Sequence, residues 1–185
     1  MSPIKPGNLL IAPPAMLDPR FSKSVLLITQ HGIEGTQALC INKTMGHGLN
    51  EVIGRMGLEL PDNPKMYWGG PVGVNTVWML HETGWLCENT MKVNNNWAMT
   101  SSMNMFENVA DGDSPADYRV FMGLCSWRPG QLEQELNGTG PFSIESSWLV
   151  ADAPSAKELF SQPNRDLWQN CCELAGTQAV SHWLA

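Results

Sequence analysis

A chain of 185 residues with 43% apolar content is long enough to bury a sizeable core as one domain, 1–185. Eighteen acidic against eleven basic side chains leave a net charge of −7, which repels a polyanion at long range and makes direct nucleic-acid binding unlikely. The longest apolar run, Leu9–Leu17, carries Pro13 and Pro14 and is too short to span a bilayer, so no membrane partner is expected.

The opening MSPIKPGNLLIAPP lacks the charged start and long apolar core of a secretory signal, and a cytoplasmic location is the expectation. Asn8–Ala12 reads as a first strand that stops at Pro13-Pro14, because neither proline can donate to a ladder. Ser24–His31 and Thr36–Lys43 are β-rich runs around Gly32–Gly35, the signature of an antiparallel hairpin with a four-residue loop. Gly46–Gly48 reads as a flexible break. Leu49, Val52, Ile53 and Met56 then repeat at helical spacing, with Gly57 as a cap.

After the turn Pro61–Pro64, Met66–Gly73 combines a short apolar strand with a Gly-Gly-Pro break, and Thr76–His81 alternates as a strand. Trp85–Glu88 and Trp97–Thr100 read as two more strands. Ser101 or Ser102 can cap a helix with Met103, Phe106 and Val109 or Ala110 on one face, ending near Gly112.

The central stretch is Tyr118–Asn137, where a strand signal passes straight into a helix signal. Tyr118, Val120, Met122 and Leu124 share one face, and Phe121, Gly123 and Cys125 form a second apolar face, as in a strand buried on both sides. Pro129–Asn137 reads as a short helix with Leu132 and Leu136 one turn apart and Gly138 beyond its end. The link Cys125–Arg128 would set a Trp and an Arg at the helix N-terminus, where carboxylate or phosphate is favoured. Gly138–Ser147 is a loop, Ser147–Ala151 a further strand, and a short helical turn runs from Ser155 to Leu159-Phe160. The last helix follows Pro163 with Asn164 as a cap and runs to Gly176 on an amphipathic pattern.

Four stretches together resemble the YqgE/AlgH family, small bacterial proteins without an established molecular activity, one of which gave its name to a regulator of alginate production. They are Leu9–Ala12 with Asp18-Pro19, Phe21, Ser24-Val25 and His31; Gly35 to Asn42; Gly69–Val72 with Leu80-His81; and the G-x-x-x-W-x-x-G-Q-L-E-x-E-L pattern at Gly123, Trp127, Gly130, Gln131, Leu132, Glu133, Glu135 and Leu136. The likeness spans about Asn8 to Gly176. It implies an α/β (α+β) protein with a curled, mixed, largely antiparallel sheet flanked by helices, and it brings no cofactor and no catalytic residues. The chain departs from the pattern at Gly35-Thr36-Gln37-Ala38, at Thr44, and at Trp148, which an added segment near Gly138–Ser147 displaces.

The candidate ligand-binding residues are Trp127, Arg128, Gly130, Gln131 and Glu133 at the strand–helix corner, Gly69, Gly70 and Pro71 at the glycine corner, and His31. Cys125 could act as a nucleophile or pack as a small apolar residue. Gln131 and Glu135 lie one turn apart while Glu133 points elsewhere, so no carboxylate pair forms. Glu133 facing a buried Trp or a backbone N–H would be structural. His31 and His81 both end strands and could meet, but no Asp or Cys set stands at metal-ligand spacing, and no metal is expected. The five cysteines form no C-x-x-C pair and read as reduced thiols. Gly69-Gly70-Pro71 matches neither a phosphate loop nor a dinucleotide fingerprint.

These observations favour a non-enzymatic regulatory protein that binds an unidentified small molecule or protein partner. An enzyme using Cys125 or Glu133, with hydrolase-like or thiol chemistry, is the alternative. A direct transcriptional regulator comes third, since no helix-turn-helix or basic stripe is present.

Overall fold

The structure, a computed structural model, describes residues 4–60, 62–139 and 147–184. Its elements in chain order are β1 (Asn8–Ile11), β2 (Val25–Gly32), β3 (Gly35–Cys40), β4 (Thr44–Gly48), α1 (Asn50–Ile53) with a 3-10 turn (Gly54–Met56), and β5 (Lys65–Trp68). Then follow β6 (Val72–Glu82), β7 (Met91–Lys92), β8 (Trp97–Thr100), α2 (Asn104–Ala110), β9 (Tyr118–Trp127), α3 (Gln131–Leu136), β10 (Leu149–Asp152), α4 (Ala156–Phe160) and α5 (Asn164–Leu184). This is an α/β protein with a curled, mixed, largely antiparallel sheet and flanking helices. The strand order is β10-β1-β2-β3-β9-β6-β8-β7, with β5 added beside β9 and β4 beside β5.

Strand β9 is the hub because it has three neighbours. One edge pairs with β6, from His81↔Tyr118 to Val77↔Met122. The other edge is shared: β5 runs parallel to its first half through Tyr67↔Phe121, and β3 runs antiparallel to its end through Thr36↔Trp127 and Ala38↔Cys125. Both edges are therefore filled, and core clusters cover its faces, burying Val120, Phe121, Leu124 and Cys125.

A three-residue hop joins β5 to β6 across β9 itself, and it explains the glycines. Trp68 sits on one edge of β9 opposite Met122, whereas Val72 sits on the other edge opposite Leu124, so Gly69-Gly70-Pro71 must cross over the strand at Gly123. A Cβ on Gly69 would strike the Gly123 carbonyl, one on Gly70 the backbone of Leu124, and one on Gly123 the Gly70 carbonyl. Only glycine lets two backbones come this close. Gly123 also takes a φ of 71°, which inserts one step into the alternation of β9. Leu124 consequently joins Phe121 in one core cluster, away from Tyr118, Val120 and Met122, contrary to simple period-two alternation.

Several boundaries differ from expectation for local reasons. Gly32 and Gly35 pair directly, so the hairpin has a two-residue tip at Ile33-Glu34 in place of a four-residue loop. Gly46–Gly48 is not a break, because β4 forms by pairing with β5. Trp85–Glu88 is no strand: Trp85 turns inward to give its indole N–H to Asp113 at 2.9 Å, and the short β7 pairs with β8 instead. Helix α5 runs through Gly176 to Leu184, since Leu167, Cys171 and Ala175 keep its apolar face on the sheet. Of the segment Gly138–Ser147, residues 140–146 lie outside the described residues. No helix among the described residues is long and apolar enough to cross a membrane.

Candidate functional site

The corner between β9 and α3 opens with a turn. Gln131 N–H donates to the Arg128 carbonyl at 3.0 Å, and Gly130 takes φ 75° and ψ −8°, the geometry of a type II turn with Pro129-Gly130 at its centre. A left-handed Gly130 cannot lie inside a helix, so α3 starts at Gln131 rather than Pro129 and has only six residues. The Gln131 side chain then reaches back, its Oε1 accepting the Arg128 N–H at 3.1 Å. One of the N–H groups expected to face an anion is thus occupied from within the chain. The Arg128 side chain itself is exposed.

Glu135 holds the corner together. Its Oε2 accepts the indole N–H of Trp127 and that of Trp148, each at 3.1 Å, while its Oε1 accepts the Gln131 amide at 3.3 Å. The two indoles meet edge to face at 6.4 Å, and Phe21 packs edge to face on Trp148 at 5.8 Å. Trp127 is buried in this cluster with Cys125 and Leu132. It is Glu135, not Glu133, that faces a buried Trp. The signal lay in the tryptophan: a buried indole N–H needs an acceptor, and Glu135 stands on the same helix face as Gln131.

Glu133 turns to the hairpin. Its Oε1 lies 3.6 Å from His31 Nε2, and His31 Nδ1 is 2.8 Å from the Thr36 hydroxyl. His31, Thr36 and Trp127 form a row across β2, β3 and β9, so the sheet register fixes where α3 meets the hairpin. Gly35 tightens the same junction, because a Cβ there would strike the Trp127 carbonyl. Neither Thr36 nor Gly35 stands out from the sequence as a site residue.

The structure thus brings Trp127, Gln131, Glu133 and His31 together, with Arg128 and Gly130 on the adjoining turn. Gly69, Gly70 and Pro71 sit apart at the crossing over Gly123. Gly69 N–H donates to Met122 and its carbonyl accepts from Cys40 N–H, both at 2.8 Å. His81 does not meet His31: it pairs with Tyr118 at the opposite end of β9, fully buried against Trp85. Cys125 is buried, and its thiol donates to the Gly69 carbonyl at 3.4 Å. Burial pushes that thiol well above its ordinary pKa, which opposes the thiolate a nucleophile requires. Among the described residues no group of three His, Cys, Asp or Glu side chains could hold a metal ion.

A cavity of about 300 Å³ lies elsewhere, lined by His47, Glu51, Val52, Arg55 and Met122. None of the corner residues forms its wall.

The comparisons with known proteins agree with this architecture. A UPF0301 protein of Xanthomonas oryzae pv. oryzae is 34% identical over 174 residues, 92% of this chain and 88% of that relative. One from Methylococcus capsulatus is 32% identical over 175 residues with the same coverage. The solution structure of the AlgH protein from Pseudomonas aeruginosa matches with a TM-score of 0.75 at 28% identity, covering 95% of this chain and 93% of that one. A crystal structure from Corynebacterium diphtheriae shares the fold at a TM-score of 0.71 and 23% identity, over 92% and 86% of the two chains. The model of the AlgH-like family, DUF179, matches residues 9–180, and the chain belongs to that family.

Proposed function

We propose that this is a non-catalytic regulatory protein that engages a protein partner through the outer face of the β9–α3 corner. The supporting observation is a contrast within the corner. Its inner polar groups are engaged by one another through Glu135, while its outer rim leaves an apolar tip exposed: Ile33 at the end of the hairpin is 91% accessible. Gly35 sits so close to the backbone of Trp127, Arg128 and Pro129 that a Cβ there would strike it, which sets Ile33, Arg128 and Pro129 on one side of the corner with Glu133. Arginine is enriched among the residues that anchor partner contacts, and Ile33 sets an exposed apolar side chain near it. A buried, internally satisfied interior is a poor cradle for a small molecule.

The test is affinity capture from native extract with the wild-type chain, Ile33→Asp and Arg128→Glu. A discrete partner that both variants lose, at unchanged melting temperature, is the expected outcome. The reading fails if the same proteins are retained by all three. A shift of melting temperature with a metabolite, unaffected by either variant, would favour a small-molecule binder at another site.

The His31–Glu133 contact favours a second reading, an enzyme in which this pair handles a proton. Under it, Glu133→Gln would abolish a turnover that wild type shows. Binding of duplex DNA with steep salt dependence would instead favour a transcriptional regulator, against the net charge of −7.

A further inference from the structure

The cavity under α1 carries chemistry that the corner does not use. Its floor is Met122, half-exposed in the middle of β9 where Val120, Phe121 and Leu124 are all buried, together with Val52 of α1. Its rim holds His47, Glu51 and Arg55. Glu51 and Arg55 stand at the i, i+4 spacing that normally lets an acid and an arginine pair. They do not pair. Glu51 Oε1 accepts the Gly48 N–H at 3.3 Å, and the helix tightens to a 3-10 turn at Gly54, so the two side chains part. Among the described residues Arg55 has no carboxylate within ion-pair distance. His47 Nδ1 donates to the Gly48 carbonyl at 3.4 Å, and among the described residues nothing hydrogen-bonds its Nε2.

We propose that this cavity binds a free α-amino acid with an apolar side chain. Each lining group then has a counterpart. The Arg55 guanidinium takes the α-carboxylate through its two-pronged donors. Glu51 Oε2 and His47 Nε2 accept from the α-ammonium. Val52 and the adaptable thioether of Met122 carry the side chain. The depression is open to solvent, and its volume of about 300 Å³ stands at the small end of ligand sites, room for a single amino acid held at the surface. A plain organic acid would set Glu51 against an anion, and a plain amine would set Arg55 against a cation, so the lining selects the zwitterion. The site is separate from the partner-binding rim and stands or falls without it.

The experiment uses the full chain labelled with 13C at the methionine methyls. The Met122 signal is identified among the eleven methionines by its loss in Met122→Leu. L-leucine, L-methionine and L-phenylalanine are titrated, then N-acetyl-L-leucine and L-leucinamide. A saturable shift of the Met122 signal is expected with at least one free amino acid. Binding should weaken at least about tenfold for both blocked derivatives, and about tenfold for Arg55→Gln and Glu51→Gln, whose side chains are exposed and whose melting temperature should hold. No shift with any of the three amino acids overturns the proposal. So does equal binding of the acetylated or the amidated form, which would make the site one for organic acids or for amines.

Discussion

Two single side chains decide much of the local stability, and they do so in opposite chemical ways. Glu135 is a carboxylate that gathers three donors, two of them indoles on separate segments. Removing it as Glu135→Ala strands those N–H groups around Trp127, and urea unfolding should show a loss of about 3 kcal/mol. Glu135→Gln keeps one acceptor oxygen but turns an NH2 toward the Gln131 amide, so a loss of about half that size is expected. Equal stability of both variants with wild type would show that the clasp does not form. His81 is neutral instead. It donates from Nδ1 to the Glu82 carbonyl at 2.7 Å and accepts at Nε2 from the Thr100 hydroxyl, 2.9 Å away, which lies 2.7 Å from that of Thr90. Burial holds its pKa below the ordinary 6.5, so the unfolded chain takes up the proton more readily than the folded one. The contribution of His81 is therefore complete above pH 6.5 and declines as pH falls below it. His81→Gln should flatten this part of the stability profile below pH 6.5. A profile identical to wild type would remove His81 as its source.

At the scale of elements, glycine has two distinct roles, and alanine substitutions separate them. Gly130 has open space around its missing Cβ, so Gly130→Ala meets only the backbone cost of a left-handed φ, about 1 kcal/mol. Gly123→Ala meets that cost and also the Gly70 carbonyl at the crossing, and should unfold the protein at a melting temperature well below that of Gly130→Ala. Similar values for the two would mean that β5 does not cross β9 where the structure has it. These positions also mark what the sequence could convey. The β9 strand and the β2–β3 hairpin follow from alternation and turn residues, which are local. Asn164, by contrast, does not cap α5: it is the first residue inside the helix, its Oδ1 makes no hydrogen bond among the described residues, and its amide donates to the Tyr67 hydroxyl at 3.4 Å. The crossing is not local: it depends on β5 and β6 claiming opposite edges of one strand, and a Gly-Gly-Pro stretch read alone signals only a corner. Pro129 suits both a first helical turn and the second residue of a type II turn, so the local pattern alone starts α3 two residues early. The left-handed Gly130 decides between them.

Across the whole molecule, the family resemblance implies the curled mixed sheet, and the long-range register brings the candidate residues of the corner together. Trp127, Gln131 and Glu133 were legible from their motif, yet the partners that define them are distant in sequence: Trp148 beyond the added segment, His31 and Thr36 on the hairpin. A single indole N–H signals a missing acceptor but not which acid supplies it. The outer rim was illegible for the same reason, since Ile33 becomes significant only when Gly35 packs against Trp127. If this rim meets a partner, position 33 lies in the contact. A photo-crosslinking residue placed at Ile33, compared in cells with one at the exposed Gln169 of α5, tests it directly. A discrete crosslinked protein is expected from position 33, lost when Arg128→Glu is added, and none from position 169. The same products from both positions, or a product at position 33 indifferent to Arg128, would contradict such a contact.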